Sequence, residues 1–264
     1  MKQRHNTYQN NALYIASLQA KQPKGGYLPI DEFKKTHLRF NDQNILIQSE
    51  YRDGIVVRAV YMLVRYRMGL SPDKVFGQAL HGSSMVARRS DAESALQRIT
   101  GLDSDSVMAA LELAEYEIQY TVDGFPGDES IFGISDIDMD VIWAIQTMAI
   151  RVLSFIAQYG PVISHRDTFL GAYTKTIPSG NGEFLTPNMV LELNASPEKP
   201  TRAQTLRLLL SWRMGLYSIH PDYGKVKYLG IYNALTNTLY QYDVSAIPDE
   251  TIIAVDTKII GYKA

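Results

Sequence analysis

The apolar pattern of this chain changes period once, at Gly160-Pro161, and that change limits the folds it can adopt. Before it, Val141, Ile142, Ile145, Met148, Ala149, Val152, Phe155 and Ile156 recur at helical spacing, and Gly160-Pro161 closes the helix. After it the period moves towards two. Segments 169–177, 183–185 and 189–195 read as successive strands, separated by Pro178-Ser179-Gly180-Asn181-Gly182 and by Pro187-Asn188. Their short connections predict an antiparallel meander. Thr201 caps a further helix running to Met214 with Gly215 at its end, and strands at 228–232 and 238–243 follow.

Upstream the chain reads as mostly helical. Segment 8–21 precedes the breaker Gln22-Pro23-Lys24-Gly25-Gly26, and 54–68 ends at Gly69. Shorter helices are predicted at 72–80, 91–99 and 104–119. The turn-rich stretch 123–128 supplies the boundary, so residues 1–125 form a mainly helical region and 126–264 a core of mixed sheet flanked by helices. The fold class expected is α+β.

Residue usage removes several chemistries. The 264 residues include no cysteine, which excludes disulfides, thiolate zinc sites and a cysteine nucleophile. The histidines at 5, 37, 81, 165 and 220 lack ligand spacing, and no Walker loop, G-x-S-x-G elbow or dinucleotide fingerprint occurs. Charges of 26 Lys and Arg against 28 Asp and Glu argue against indiscriminate phosphate binding by the whole chain. The N-terminal segment fails as a secretory signal and charge interrupts every apolar run, so the expectation is a cytoplasmic protein with no membrane partner. Asp136, Asp138 and Asp140 read as helix caps. Arg52, Arg58, Arg65, Arg67, Arg88 and Arg89 are candidates for a phosphate-tracking face, but nearby acids favour a solvated surface.

A metal-dependent nuclease needs carboxylates that hold hard divalent cations against the scissile phosphate, and a polar or cationic group beside them. Residues i and i+2 of a strand share a face, so an acid two positions before a lysine serves one pocket. Here Glu183 opens one short strand, and Glu192 and Asn194 stand at i and i+2 on the next.

The segments GAYTKTIPSGNGEFLT, VLELN, PTRAQTLRLLLSWRMG and YLGIYNALTNTLYQYDVSAIPDE give residues 130–255 their character. Over that span the chain resembles uncharacterised bacterial and phage-associated proteins related to the PD-(D/E)XK nucleases. In that family the segments read G-D-G-D-F-L-T and W-D-F-K, and the helix carries glutamine followed four residues later by tyrosine. Position by position, the first acids fall on Asn181 and Glu183, the D-x-K pair on Glu192 and Asn194, and the helix pair on Arg207 and Ser211.

The resemblance implies a PD-(D/E)XK-like core at 126–264. It also implies Glu183, Glu192 and Asn194 as catalytic positions, with Mg2+ or Mn2+ on Glu183 and Glu192 if the protein is active. Asn181, Lys175 and Arg207 are the expected binding residues. Only two acids survive, and the missing lysine would have offset charge in the transition state. If the helix packs as in the family, Arg207 approaches Glu192 and neutralises it where a cation once sat. The expected function is therefore an impaired nuclease-like protein that binds nucleic acid, DNA in particular, or a protein partner in phage or mobile-element biology. Its rivals are an active Mg-dependent DNA nuclease and a non-catalytic phage and host interaction protein.

Overall fold

The structure, a computed structural model, describes residues 12–45, 53–121, 137–165, 167–182 and 184–263. Within them the α-helices are α1 (Ala12–Gln19), α2 (Asp53–Arg67), α3 (Pro72–Met85), α4 (Arg89–Arg98), α5 (Ser104–Thr121), α6 (Met139–Tyr159), α7 (Arg202–Tyr217) and α8 (Asp249–Val255). The strands are β1 (Lys34–His37), β2 (Ser164–His165), β3 (Phe184–Leu185), β4 (Met189–Asn194), β5 (Tyr228–Asn233) and β6 (Thr238–Asp243). A helical N-terminal half and a C-terminal mixed sheet make the protein α+β, as expected. The predicted boundary at 123–128 lies outside the described residues.

Contacts divide the chain into two compact units. One spans 1–38, 156–233 and 237–264, and the other 39–155 and 234–236. In the second, helical unit, α5 packs against α2, α3 and α4, burying Val107, Ala110, Leu111 and Leu113 with Val60, Leu63 and Phe76. Arg98 of α4 reaches Asp105 at 3.2 Å and Glu112 at 2.5 Å on α5. The cap expected before α6 is present at Asp138, whose Oδ1 accepts from the Asp140 N–H at 3.0 Å.

By length and composition α6 is apolar enough to cross a membrane, although Asp140 and Arg151 stand within it; 56% of its apolar window is buried inside the protein. Its one basic residue, Arg151, is buried and donates to the carbonyls of Phe40, Asn41, Gln43, Ala234 and Leu235. A guanidinium satisfied this way ties α6 to two loops.

Among the described residues the sheet-bearing unit holds six strands in the order β1-β6-β5-β4-β3-β2. Neighbours are antiparallel except β4 and β5, which run parallel and are joined through α7. A parallel pair needs such a crossover. Every residue of β4 is buried, as its near-continuous apolar run requires. Val190, Leu229, Ile231 and Tyr240 on one sheet face pack into a core with Leu206, Leu209 and Leu210 of α7.

Three sequence expectations change. Segment 169–177 is not a strand: Gly171 takes φ 93°, the Tyr173 hydroxyl donates to Gly180 O at 2.7 Å, and Thr174 Oγ1 accepts from the N–H groups of Thr176 and Ile177. Side chains that bond nearby backbone favour turns over ladders. The chain does not close on strands either, since α8 and a π turn (Asp256–Ile260) follow β6. The third change concerns the end of α7.

That helix begins as expected, with Thr201 and Gln204 forming a reciprocal capping box, but it runs through Gly215 to Tyr217. Gly215 is there for space: a Cβ on it would lie 2.0 Å from the ring of Tyr223. Gly215→Ala should therefore destabilise by about 1–3 kcal/mol through overpacking, although alanine favours helix. Urea unfolding checks this, and a more stable variant would contradict it.

Candidate functional site

Strand alternation puts Val190, Glu192 and Asn194 on one face of β4, and the parallel register sets Glu192 beside Ile231 and Asn194 beside Asn233 of β5. That face carries the core shared with α7, so Glu192 is enclosed, its side chain only 3% exposed. A lone buried carboxylate is strongly disfavoured. Arg207, in the second turn of α7, supplies the partner: Nε donates to Oε2 at 3.0 Å and Nη2 to Oε1. Both carboxylate oxygens are thereby engaged by one planar fork. Over the guanidinium lies the ring of Tyr14 from α1, its centroid 5.1 Å from Cζ.

Asn194 makes different contacts. Its Oδ1 accepts from the backbone N–H groups of Ala195 at 2.8 Å and Ser196 at 3.1 Å, turning the chain out of β4. Among the described residues its Nδ2 is buried without a hydrogen-bond partner. Asn233 braces the same turn, its Nδ2 donating to Ser196 O at 2.6 Å.

Of the residues singled out in the sequence, Glu192, Asn194 and Arg207 come together around β4 and α7, with Ser211 buried one turn further along α7. Glu183 lies outside the described residues. Asn181 is exposed and forms an isolated bridge with Thr168, and Lys175 is an exposed loop residue. The remaining donors do not fit a divalent cation. Hard cations need open carboxylate or carbonyl oxygens, whereas those of Glu192 are taken by Arg207 and that of Asn194 by two backbone N–H groups. Among the described residues no three His, Asp or Glu side chains gather at one point.

A second charged pair lies further along α7. Arg213 Nε and Nη2 meet Asp256 Oδ1 and Oδ2 at 2.9 and 2.6 Å, and the Arg213 side chain also stacks on Trp212 and Tyr217. Burial opposes the Arg213 charge, but the Asp256 carboxylate outweighs it and raises its pKa. Burial, and then the negative charge of Asp256, push the Tyr262 phenol above its ordinary value. Sequence reasoning did not find this pair or Tyr14, because their partners are fixed by packing between distant segments.

Compared with family models, with curated proteins and with solved structures, the chain finds no match. Its own charge distribution is more informative. Over the sequence spans of the two units, the sheet-bearing unit has 16 Lys and Arg against 11 Asp and Glu, and the helical unit 10 against 17. The near-neutral total conceals a basic unit and an acidic one.

The arginines considered as a phosphate-tracking face belong to the acidic unit. Arg88 pairs with Asp91, Arg89 with Glu93 at 2.7 Å and Arg58 with Glu117 at 3.9 Å. Arg65 is buried and donates to Lys74 O at 2.7 Å. Arg52 lies outside the described residues.

Proposed function

We propose that this protein is a nuclease-like scaffold of the PD-(D/E)XK kind in which a guanidinium has taken the place of the metal, and that it acts by binding nucleic acid. The observation that carries this reading is the two-point Arg207–Glu192 pair, which engages an acid that in an active enzyme would face a cation. Asparagine at position 194 supports it, since no ammonium stands there to offset transition-state charge. The positive balance of the sheet-bearing unit suits a polyanionic partner such as nucleic acid. The phage or mobile-element setting rests on the sequence resemblance alone.

The test combines binding and cleavage on single- and double-stranded DNA and RNA, with Mg2+, Mn2+ or EDTA. Retention in a gel should weaken by about tenfold or more as salt rises from about 50 to about 200 mM, and substrate should stay intact in all three conditions. Metal-dependent cleavage that Glu192→Ala abolishes would overturn the reading in favour of an active nuclease. Salt-insensitive association with a protein would transfer the scaffold to that partner.

A further inference from the structure

The sheet-bearing unit also carries a groove of about 580 Å³ between α1 and the π turn after α8. One wall is Ala12, Ile15, Ala16 and Gln19 of α1 with Ala20 just past its end, positions that recur at i, i+3, i+4, i+7 and i+8 and so form one helical stripe. Small side chains along that stripe leave the groove open, and Ile259 supplies an apolar wall opposite.

Charge in the groove has one sign. Lys21 and Lys258 are exposed lining residues, and no carboxylate lines it among the described residues. Asp256, the acid of the π turn, is held by Arg213. A trough of this size, with alanine and isoleucine walls and Gln19, Tyr27, Thr176 and two lysines as its polar groups, has the make-up of a small-molecule site, where apolar walls bind the body of a ligand and a few polar groups orient it.

We propose that the groove binds a single-chain acyl anion, its hydrocarbon along Ala12, Ile15, Ala16 and Ile259 and its carboxylate between Lys21 and Lys258. This site is independent of the Arg207–Glu192 pair and of the nucleic-acid reading.

Titration calorimetry of the full chain with decanoate below its micellar concentration tests it, beside decanol, acetate and a thymidine oligonucleotide. Decanoate should bind saturably at one site, decanol about tenfold more weakly, and acetate without detectable heat. Joint Lys21→Glu and Lys258→Glu should weaken decanoate by about tenfold or more and leave decanol unchanged, because only the anion's partners are altered. Gln19→Trp, at an exposed position, should block both ligands without disturbing the core, with circular dichroism as the check on folding. No saturable heat from decanoate, or unchanged affinity in the double lysine variant, would overturn the proposal. Oligonucleotide binding that the lysine changes abolish, with none of decanoate, would overturn it too and give the groove to nucleic acid.

Discussion

Arg207→Ala is expected to lower the free energy of unfolding by about 3–5 kcal/mol, the cost of leaving a buried carboxylate without its partner. The size follows from burial: the Glu192 side chain is 3% exposed and both its oxygens rest on one guanidinium. An exposed ion pair would contribute about 1 kcal/mol or less. Denaturant unfolding separates the two cases. Replacing both Arg207 and Glu192 by leucine should recover most of the loss, since apolar side chains of similar volume suit such a site as well as the pair does. If Arg207→Ala costs less than about 1 kcal/mol, the pair is a surface contact and the account of β4 and α7 fails.

The other large effect is expected at Arg151. Arg151→Ala removes the donor to five carbonyls on two loops and should cost at least about 3 kcal/mol, because hydrogen bonds from a charged group are among the stronger ones. Arg151→Lys should fall between the variant and the parent, as an ammonium has three donors and lacks the planar fork. Urea unfolding measures the loss. Hydrogen exchange should show weakened protection of the loops at 40–43 and 234–236 before the interior of α6 opens.

The helices were legible where local pattern and tertiary demand coincide. α2 and α5 follow their apolar period, and α7 announces its start through Thr201 and Gln204. β4 was legible because a short apolar run lies between turn signals. β1 was not, because Lys34, Lys35, Thr36 and His37 carry no apolar alternation and sit at a sheet edge, where lysine discourages further pairing. Segment 169–177 departs from its strand pattern because its aromatic and threonine residues favour strands in general, while here Tyr173 and Thr174 bond nearby backbone. α8 does carry a signal, Pro248 followed by Asp249 and Glu250 at a helix start, but it is a short one beside the strand pattern that precedes it.

For the candidate site, spacing set Glu192 and Asn194 on one face, and the resemblance suggested that Arg207 would approach that acid. The structure brings Arg207 and Glu192 into contact. Strand and helix periods place residues on faces, but which faces meet depends on the packing of whole elements. The role of Asn194 was beyond reach for a related reason: its oxygen serves the turn after β4, a local bond that residue type permits without specifying. Charge segregation between the units was equally hidden, because 1–38 joins the C-terminal segments only after folding.

Metal binding is the most direct test of the central claim, that Arg207 stands where a cation would otherwise meet Glu192. Calorimetric titration of the parent protein with Mg2+ and Mn2+ is expected to give no saturable heat. Arg207→Gln, titrated beside it once circular dichroism shows it folded, leaves Glu192 as a lone carboxylate and serves as the matched comparison. Tight binding of either ion by the parent would contradict the account.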